Sequence, residues 1–298
     1  MRRQIAAFCL AWLALGCAHA GVTLHYPRPE SLQDRRNDYA LELLQLALRE
    51  AGSDAELRPT NSAMTQDRMF LELQSGKRLD VLWVMTSRQR EREALAIRIP
   101  VYKGMIGWRL LLVHASRIDM LARVHSLSDL ALFSAGQARD WPDTDILRAN
   151  HLPVVTAAGY ENLFAMLGEK RFDYLPRSAQ EIWSELESHR SEGIVLDPYL
   201  VLHYPAAVYF FVSRSHPELA NTILTGLNRA IANGKFDRLF FHYFAASIEQ
   251  ANINERTVIE LRNPALPDDA PLARKELWLR FPHSSPRGGA QSPRLTDQ

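Results

Sequence analysis

The sequence predicts an α/β protein built from two strand–helix units. Three observations predict it. Residues 22–85 alternate apolar strands and amphipathic helices in the order β-α-β-α-β, the pattern of strands with helices packed on them. Residues 79–85 are apolar at nearly every position, as in a strand buried on both faces. After Val113 the same order restarts and runs to Leu196. With 298 residues, 47% of them apolar, the chain can bury two cores of ordinary size.

The elements follow in order. Residues 22–26 read as a strand stopped by Pro27 and Pro29. Tyr39, Leu43, Leu46 and Leu48 recur near helical spacing, which predicts a helix over 37–51 ended by Gly52. A short strand at 55–58 and a helix at 65–75 lead into the buried strand at 79–85. A Thr/Ser/Arg-rich turn then returns through Pro100-Val101-Tyr102 to a second apolar strand ending at Val113. In the second unit, helices are expected at 126–130, 142–150, 160–169 and 178–189, and strands at 131–135, 153–156, 172–175 and 194–196. Pro142 suits the first turn of its helix, where no N–H is needed. A strand at 206–212 and helices at 216–233 and 236–247 complete the pattern. From Pro282 the chain is Ser/Pro/Arg/Gly without periodicity and is expected to be a disordered tail.

The N-terminus reads as an export leader. Arg2 and Arg3 precede an uncharged apolar run at 5–15, and Ala18-His19-Ala20 is a small-x-small cleavage site. The run is shorter than the roughly 20 residues needed to span a bilayer. The expected compartment is the periplasm. Ala14-Leu15-Gly16-Cys17 loosely resembles a lipobox, but Ala14 stands where leucine is preferred, so soluble export is the reading. Both cysteines, Cys9 and Cys17, lie in the leader, so the processed chain can have neither disulfide nor thiolate chemistry.

Composition and motifs exclude several functions. Thirty-five basic residues balance 34 acidic ones, so no electrostatic footprint for nucleic acid exists. No G-x-S-x-G elbow or phosphate-cradling glycine loop is present. The histidines are scattered without metal-ligand spacing, and nothing calls for a cofactor. Asp140, Asp143 and Asp145 are close enough for acid/base chemistry, but they flank a helix start, where carboxylates cap free N–H groups.

Four constellations at expected strand ends remain, and open α/β sheets bind ligands at such ends. Trp83, Thr86, Ser87, Arg88, Arg90 and Arg92 belong to the first; a guanidinium grips carboxylate or phosphate with two parallel bonds. RQRERE also alternates charge like an exposed helical turn, so at most one arginine is expected to face a cleft. Residues 137–144 offer a helix start beside Trp141, with Asp143 in its first turn. Pro176 and Arg177 follow the strand expected at 172–175, and Tyr26 and Arg28 follow the first strand.

The ordered set of segments resembles the bacterial family 3 solute-binding proteins, which have the type II periplasmic binding fold. Residues 39–52 resemble the family's first helix, and Gly76-Lys77-Arg78-Leu79-Asp80-Val81-Leu82 its "G-x-x-D-hydrophobic" strand. Glu91-Arg92 followed by Ile99-Pro100-Val101-Tyr102 resembles its "E-R … F-S-x-P-Y" stretch. Residues 204–244, with Pro205, Pro217-Glu218-Leu219, Leu227, Gly234, Phe236 and Tyr243, resemble its last strand and closing helices. The resemblance covers roughly residues 22–247.

It implies two lobes joined by two hinge crossings, near 113–115 and 203–207. Residues 1–20 would be the signal peptide, 21–113 and 206–270 lobe one, 114–205 lobe two, and 271–298 a C-terminal tail. A ligand would bind between the lobes, contacted by Tyr26, Trp83, Thr86, Arg92, Trp141, Asp143 and Arg177, without catalysis. The partner would be an ABC-type permease or a membrane sensor in the inner membrane, and the protein a monomer.

Two departures from the family pattern bear on the ligand. The family's carboxylate-binding arginine usually stands three residues after a threonine, and Gln89 holds that place after Thr86. Its amino-group aspartate should stand some five residues after Asp173, where Arg177 and Ser178 lie. The expectation is therefore an anionic or carboxylate ligand. The alternatives are a dehydratase-type enzyme with Asp143 as acid, and an interaction protein without a small ligand.

Overall fold

A computed structural model describes residues 22–29, 37–139 and 141–281. The expected leader and the tail from Pro282 lie outside the described residues, as does Asp140.

The first sheet layer is a two-stranded sheet, β1 (Thr23–Tyr26) and β2 (Glu56–Pro59), beside a three-stranded one of β3 (Val81–Met85), β4 (Leu95–Ile97) and, from later in the chain, β10 (Val208–Val212). β1 and β2 pair in parallel. β10 lies between β3 and β4 and is antiparallel to both. The Asp80 N–H bonds to the His25 carbonyl at 3.0 Å, which ties β1 to the start of β3. Helix α1 (Asp38–Ala51) buries Tyr39, Leu43, Leu46 and Leu48, as their spacing predicts. It packs with α8 (Pro217–Ala232) and α9 (Lys235–Ala251) over one face of this sheet. Helix α2 (Gln66–Ser75) is capped by the Thr65 hydroxyl and covers the other face through Phe70 and Leu73. The short α3 (Arg88–Glu93) carries the arginine-rich turn and is capped by Ser87.

The second sheet is made of β5 (Trp108–His114), β8 (Leu175–Ser178), β9 (Ile194–His203) and β11 (Thr257–Glu260), in the order β11-β9-β5-β8. A bridge between Ala135 and Tyr174 adds β6 (Ala135–Ala138) and its parallel neighbour β7 (Val154–Ala157). Helices α4 (Leu127–Leu130), α5 (Pro142–Ala149), α6 (Tyr160–Gly168) and α7 (Ile182–Ser188) cover it. Ser126 and Asp129 form a reciprocal capping box on α4. Side chains alternate across the sheet: Leu111 and Val113 join the core under α5, and Leu110 and Leu112 the core under α6.

Four expectations need correction. The strand expected at 172–175 is β8, displaced toward the C-terminus. Its register is set by β5, with Leu175 opposite Leu112 and Arg177 opposite Leu110, so Arg177 lies within a strand. The strand expected to close lobe one at Val113 belongs to the second sheet along its whole length, because every residue from Trp108 pairs with β8 or β9 except at one bulge. The boundary at 113–114 therefore cuts through a paired strand. Residues 257–260, assigned to lobe one, pair in parallel with Leu200–His203 of β9. Residues 271–281, assigned to the tail, are packed, and Leu277 is wholly buried.

The two connections between the sheets run side by side. The Tyr204 N–H bonds to the Gly107 carbonyl at 3.2 Å. A Cβ on Gly107 would stand 2.1 Å from the Tyr204 carbonyl oxygen, so only glycine permits this approach.

Candidate ligand cleft

The end of β1 and the middle of β3 bring two expected site residues together. Tyr26 and Trp83 stack with ring centroids 6.1 Å apart. The Trp83 indole N–H donates to Asn37 Oδ1 at 3.0 Å, which fixes the ring next to the start of α1. Both rings are only partly buried and leave apolar surface for a further planar group.

Thr86 and the arginines of α3 serve the scaffold instead. Thr86 is buried and donates its hydroxyl to Glu91 at 2.7 Å. Arg88 pairs with Asp268 at 2.7 Å. Arg90 donates to the Met85 carbonyl and to Gln66 and lies over the Phe70 ring. Arg92 is exposed on α3, and its backbone carbonyl accepts from Arg214 Nε at 2.9 Å. The three-residue offset after Thr86 inserts nearly one helical turn and leaves Arg92 at the far end of α3.

The second sheet carries two charged clusters on its opposite faces. On the α6 side, Arg177 Nε meets Glu185 Oε2 at 2.8 Å and Nη2 meets Glu181 at 3.0 Å. Its guanidinium lies 4.6 Å from the Trp141 ring centroid and 5.7 Å from that of Tyr160. The Tyr160 hydroxyl donates to the same Glu185 at 3.0 Å. Burial alone would lower the Arg177 pKa, but Glu181 and Glu185 outweigh it and raise it above the ordinary value. A groove of about 340 Å³ between α6 and α7 is lined by Tyr160 and Glu185, which opens this cluster to solvent from the side.

On the α5 side, Arg109 pairs with Asp143 at 2.6 Å, and both are buried. The Tyr204 hydroxyl accepts from Arg109 Nε at 2.8 Å and donates to Asp143. Burial drives the Tyr204 phenol well above its usual value, and Asp143 adds to the shift. Arg109 is held above its ordinary value because Asp143 and Tyr204 outweigh the effect of burial. The cluster joins both connections to the start of α5: Arg109 follows the first, and Tyr204 lies on the second.

Several of these residues escape a search for motifs. Arg109 had a readable signal, because a lone charge in the apolar run WRLLLV requires a buried partner. Glu181 and Glu185 had none, because their roles depend on where α7 lies. Tyr102 gains importance from position. Its phenol is pushed up by burial and by Glu181, so a carboxylate of the second sheet acts on a tyrosine next to the first. Arg109, Arg177, Asp143, Glu181 and Glu185 together carry one more negative charge than positive. Among the described residues no group of three histidine, cysteine or acidic side chains is placed to hold a metal.

Neither the family models nor the curated protein sequences give a match to this chain. The solved structures do. An ancestral arginine-binding protein bound to arginine superposes with a TM-score of 0.53 at 16% identity, covering 75% of this chain and 98% of that one. The fold is that of the periplasmic binding proteins. A histidine kinase sensor domain with similarity to periplasmic binding proteins gives 0.53 at 17% identity, over 76% of this chain and 96% of the other. The ancestral amino-acid-binding protein AncCDT-1, a precursor of cyclohexadienyl dehydratase, gives 0.51 at 16%, over 75% and 95%. In each case this periplasmic-binding-protein-like chain matches nearly the whole of its neighbour, and about a quarter of this chain lies outside the match. Among its described residues no helix is long and apolar enough to cross a membrane.

Proposed function

We propose that this protein is an exported solute-binding protein that captures a small polar ligand between its two lobes, for an ABC-type transporter or a membrane sensor. The lobes divide at Gly107 and Tyr204. One observation carries this reading: one lobe holds the partly buried aromatic pair Tyr26–Trp83, and the other holds Trp141, at the start of α5, stacked with Arg177 of β8. The arginine-binding and amino-acid-binding neighbours support it, and the kinase sensor domain supports the sensor role.

The expected preference for an anion loses its basis in the arginines. Arg88 and Arg177 are neutralised by Asp268, Glu181 and Glu185, and Arg92 lies away from the aromatic pair. The excess negative charge in lobe two favours a ligand with an amino, guanidinium or neutral polar group. Glu181, whose side chain is 25% exposed, is its partner. The enzyme reading lacks support in geometry. The Asp143 carboxylate is buried and already engaged by Arg109 and Tyr204, so it does not face a substrate.

Intrinsic tryptophan fluorescence, titrated with arginine, lysine, polyamines, glutamate and citrate, tests the proposal. A saturable change with a cationic or zwitterionic compound, lost in Trp83→Ala, is expected. Saturation by citrate alone would return the ligand to the anionic class.

A further inference from the structure

We infer that residues 257–281 form a further connection between the lobes, beyond the two near Gly107 and Tyr204 and the crossing from α9 to β11, and act as a strap that limits how far they can rotate apart. The inference is independent of the identity of the ligand, because it rests on how the chain is anchored.

The strap begins on lobe two. β11 lies parallel to β9 as the edge of that sheet, and Ile259 and Leu261 enter its core. Arg256, just before it, donates to the Leu200 and Asp197 carbonyls. The Arg262 carbonyl accepts from the Asn150 side chain at 2.7 Å, and the Arg262 N–H donates back at 2.9 Å.

It then crosses at the hinge. Asn263 donates to the Pro205 carbonyl at 2.9 Å, on the second connection between the sheets. Two residues later the Ala265 carbonyl accepts from the Arg88 N–H of lobe one at 3.1 Å. Asp268 and Asp269 pair with Arg88 and Arg98 at 2.7 and 2.8 Å.

The strap ends on the first connection. The Leu279 N–H bonds to the Lys103 carbonyl at 2.7 Å, and the buried Lys103 ammonium donates to the Glu276 carbonyl. Lys103 and Gly104 both have left-handed backbone, φ 48° and 72°. The Trp278 ring lies so close to Gly104 that a Cβ there would be 2.4 Å from it. The Phe281 ring packs edge-on against Trp108 at 4.8 Å, and Trp108 stacks on His203 at 3.9 Å. His203 in turn bonds Glu260 at 2.8 Å, at the other end of the strap.

The consequence is geometric. Arg262 is tied to lobe two and Ala265 to lobe one. Three Cα steps reach at most about 11 Å when fully extended. Any opening that separates these anchors further must break the Asn150–Arg262 pair or the Arg88 contacts. Added to the two hinge connections and the α9–β11 crossing, the strap confines the motion.

Spin-label distances measure this directly. The full chain, with Cys9 and Cys17 changed to serine, is labelled at Gln45→Cys on lobe one and Glu187→Cys on lobe two, both exposed positions. A narrow interlobe distance distribution is expected. It should broaden about twofold or more in a chain ended after Asn263, which keeps β11, and in the full-length double variant Trp278→Ala/Phe281→Ala. Circular dichroism reports whether each variant is folded. If the shortened chain does not fold, the double variant decides by the same criterion. An unchanged width in a folded variant, or a distribution already broad in the parent, overturns the inference.

Discussion

The Arg109 guanidinium and the Asp143 carboxylate lie 2.6 Å apart in the interior, where the first connection between the lobes meets the start of α5. Each has side-chain exposure below a tenth, so neither has water as an alternative partner. Tyr204 closes the triangle from the second connection. Removing one charge leaves the other buried and unmatched, at a cost of about 3–5 kcal/mol. Asp143→Ala should lose stability of that order in urea unfolding, and Asp143→Asn somewhat less. The double change Arg109→Met/Asp143→Leu should recover much of the loss. Additive losses would mean that the pair is not coupled.

Arg177 is held by two carboxylates and two aromatic faces. Lysine keeps the charge but can neither make the paired contact with Glu185 nor stack on Trp141. Arg177→Lys should therefore be clearly destabilised, and Arg177→Met more so, because Glu185 is then buried without a partner. Denaturant midpoints at constant slope check the order. Equal stability of the lysine variant and the parent would show that the stacking and the fork contribute nothing.

Gly107 is where the two connections touch. Any side chain there meets the Tyr204 carbonyl, so Gly107→Ala should force the strands apart and lower the melting temperature by several degrees. In the labelled protein the mean interlobe distance should shift as well. A variant with parent stability and distance would argue against close apposition of the crossings.

Asp197 gives a prediction in pH. It is buried, its Oδ2 accepts from the Tyr199 and Leu200 N–H groups, and Oδ1 has no hydrogen-bond partner among the described residues. Burial raises its pKa above the ordinary 3.8, although the two N–H bonds and Arg256 oppose the shift. The folded chain thus keeps this proton to higher pH than the unfolded chain does. The contribution of Asp197 to stability is greatest below 3.8 and declines as pH rises through the folded value. Asp197→Asn should remove that decline, and the slope of stability against pH should differ between the two proteins in that window alone. Parallel profiles would refute it.

Much of the fold could be read from sequence, because burial leaves periodic marks. Tyr39, Leu43, Leu46 and Leu48 mark α1, Ser126 and Asp129 cap α4, and the unbroken apolar run marks β3. Lobe membership could not be read for β5, because an apolar strand looks the same whichever sheet accepts it. β11 is four residues of ordinary polarity whose place is set by pairing with β9. At the site, Tyr26 is legible as the end of β1 and Trp83 as part of the apolar run of β3. Arg92 was misplaced because its register follows a helical turn that spacing alone does not reveal. Arg177 and Asp143 were found as residues, while their carboxylate and guanidinium partners arrive from helices and strands remote in sequence.

The central claim is that a small polar ligand with an amino or guanidinium group binds between the lobes, next to Trp83 and Glu181. The most direct measurement is the thermal shift of the full chain across a panel of amino acids, polyamines, carboxylates and phosphates. A ligand at a hundred times its dissociation constant stabilises by about 2.7 kcal/mol, a shift of several degrees. The account predicts such a shift for a cationic or zwitterionic compound, abolished in Trp83→Ala and Glu181→Gln. No shift with any compound at millimolar concentration, or a shift that both variants retain, would contradict it.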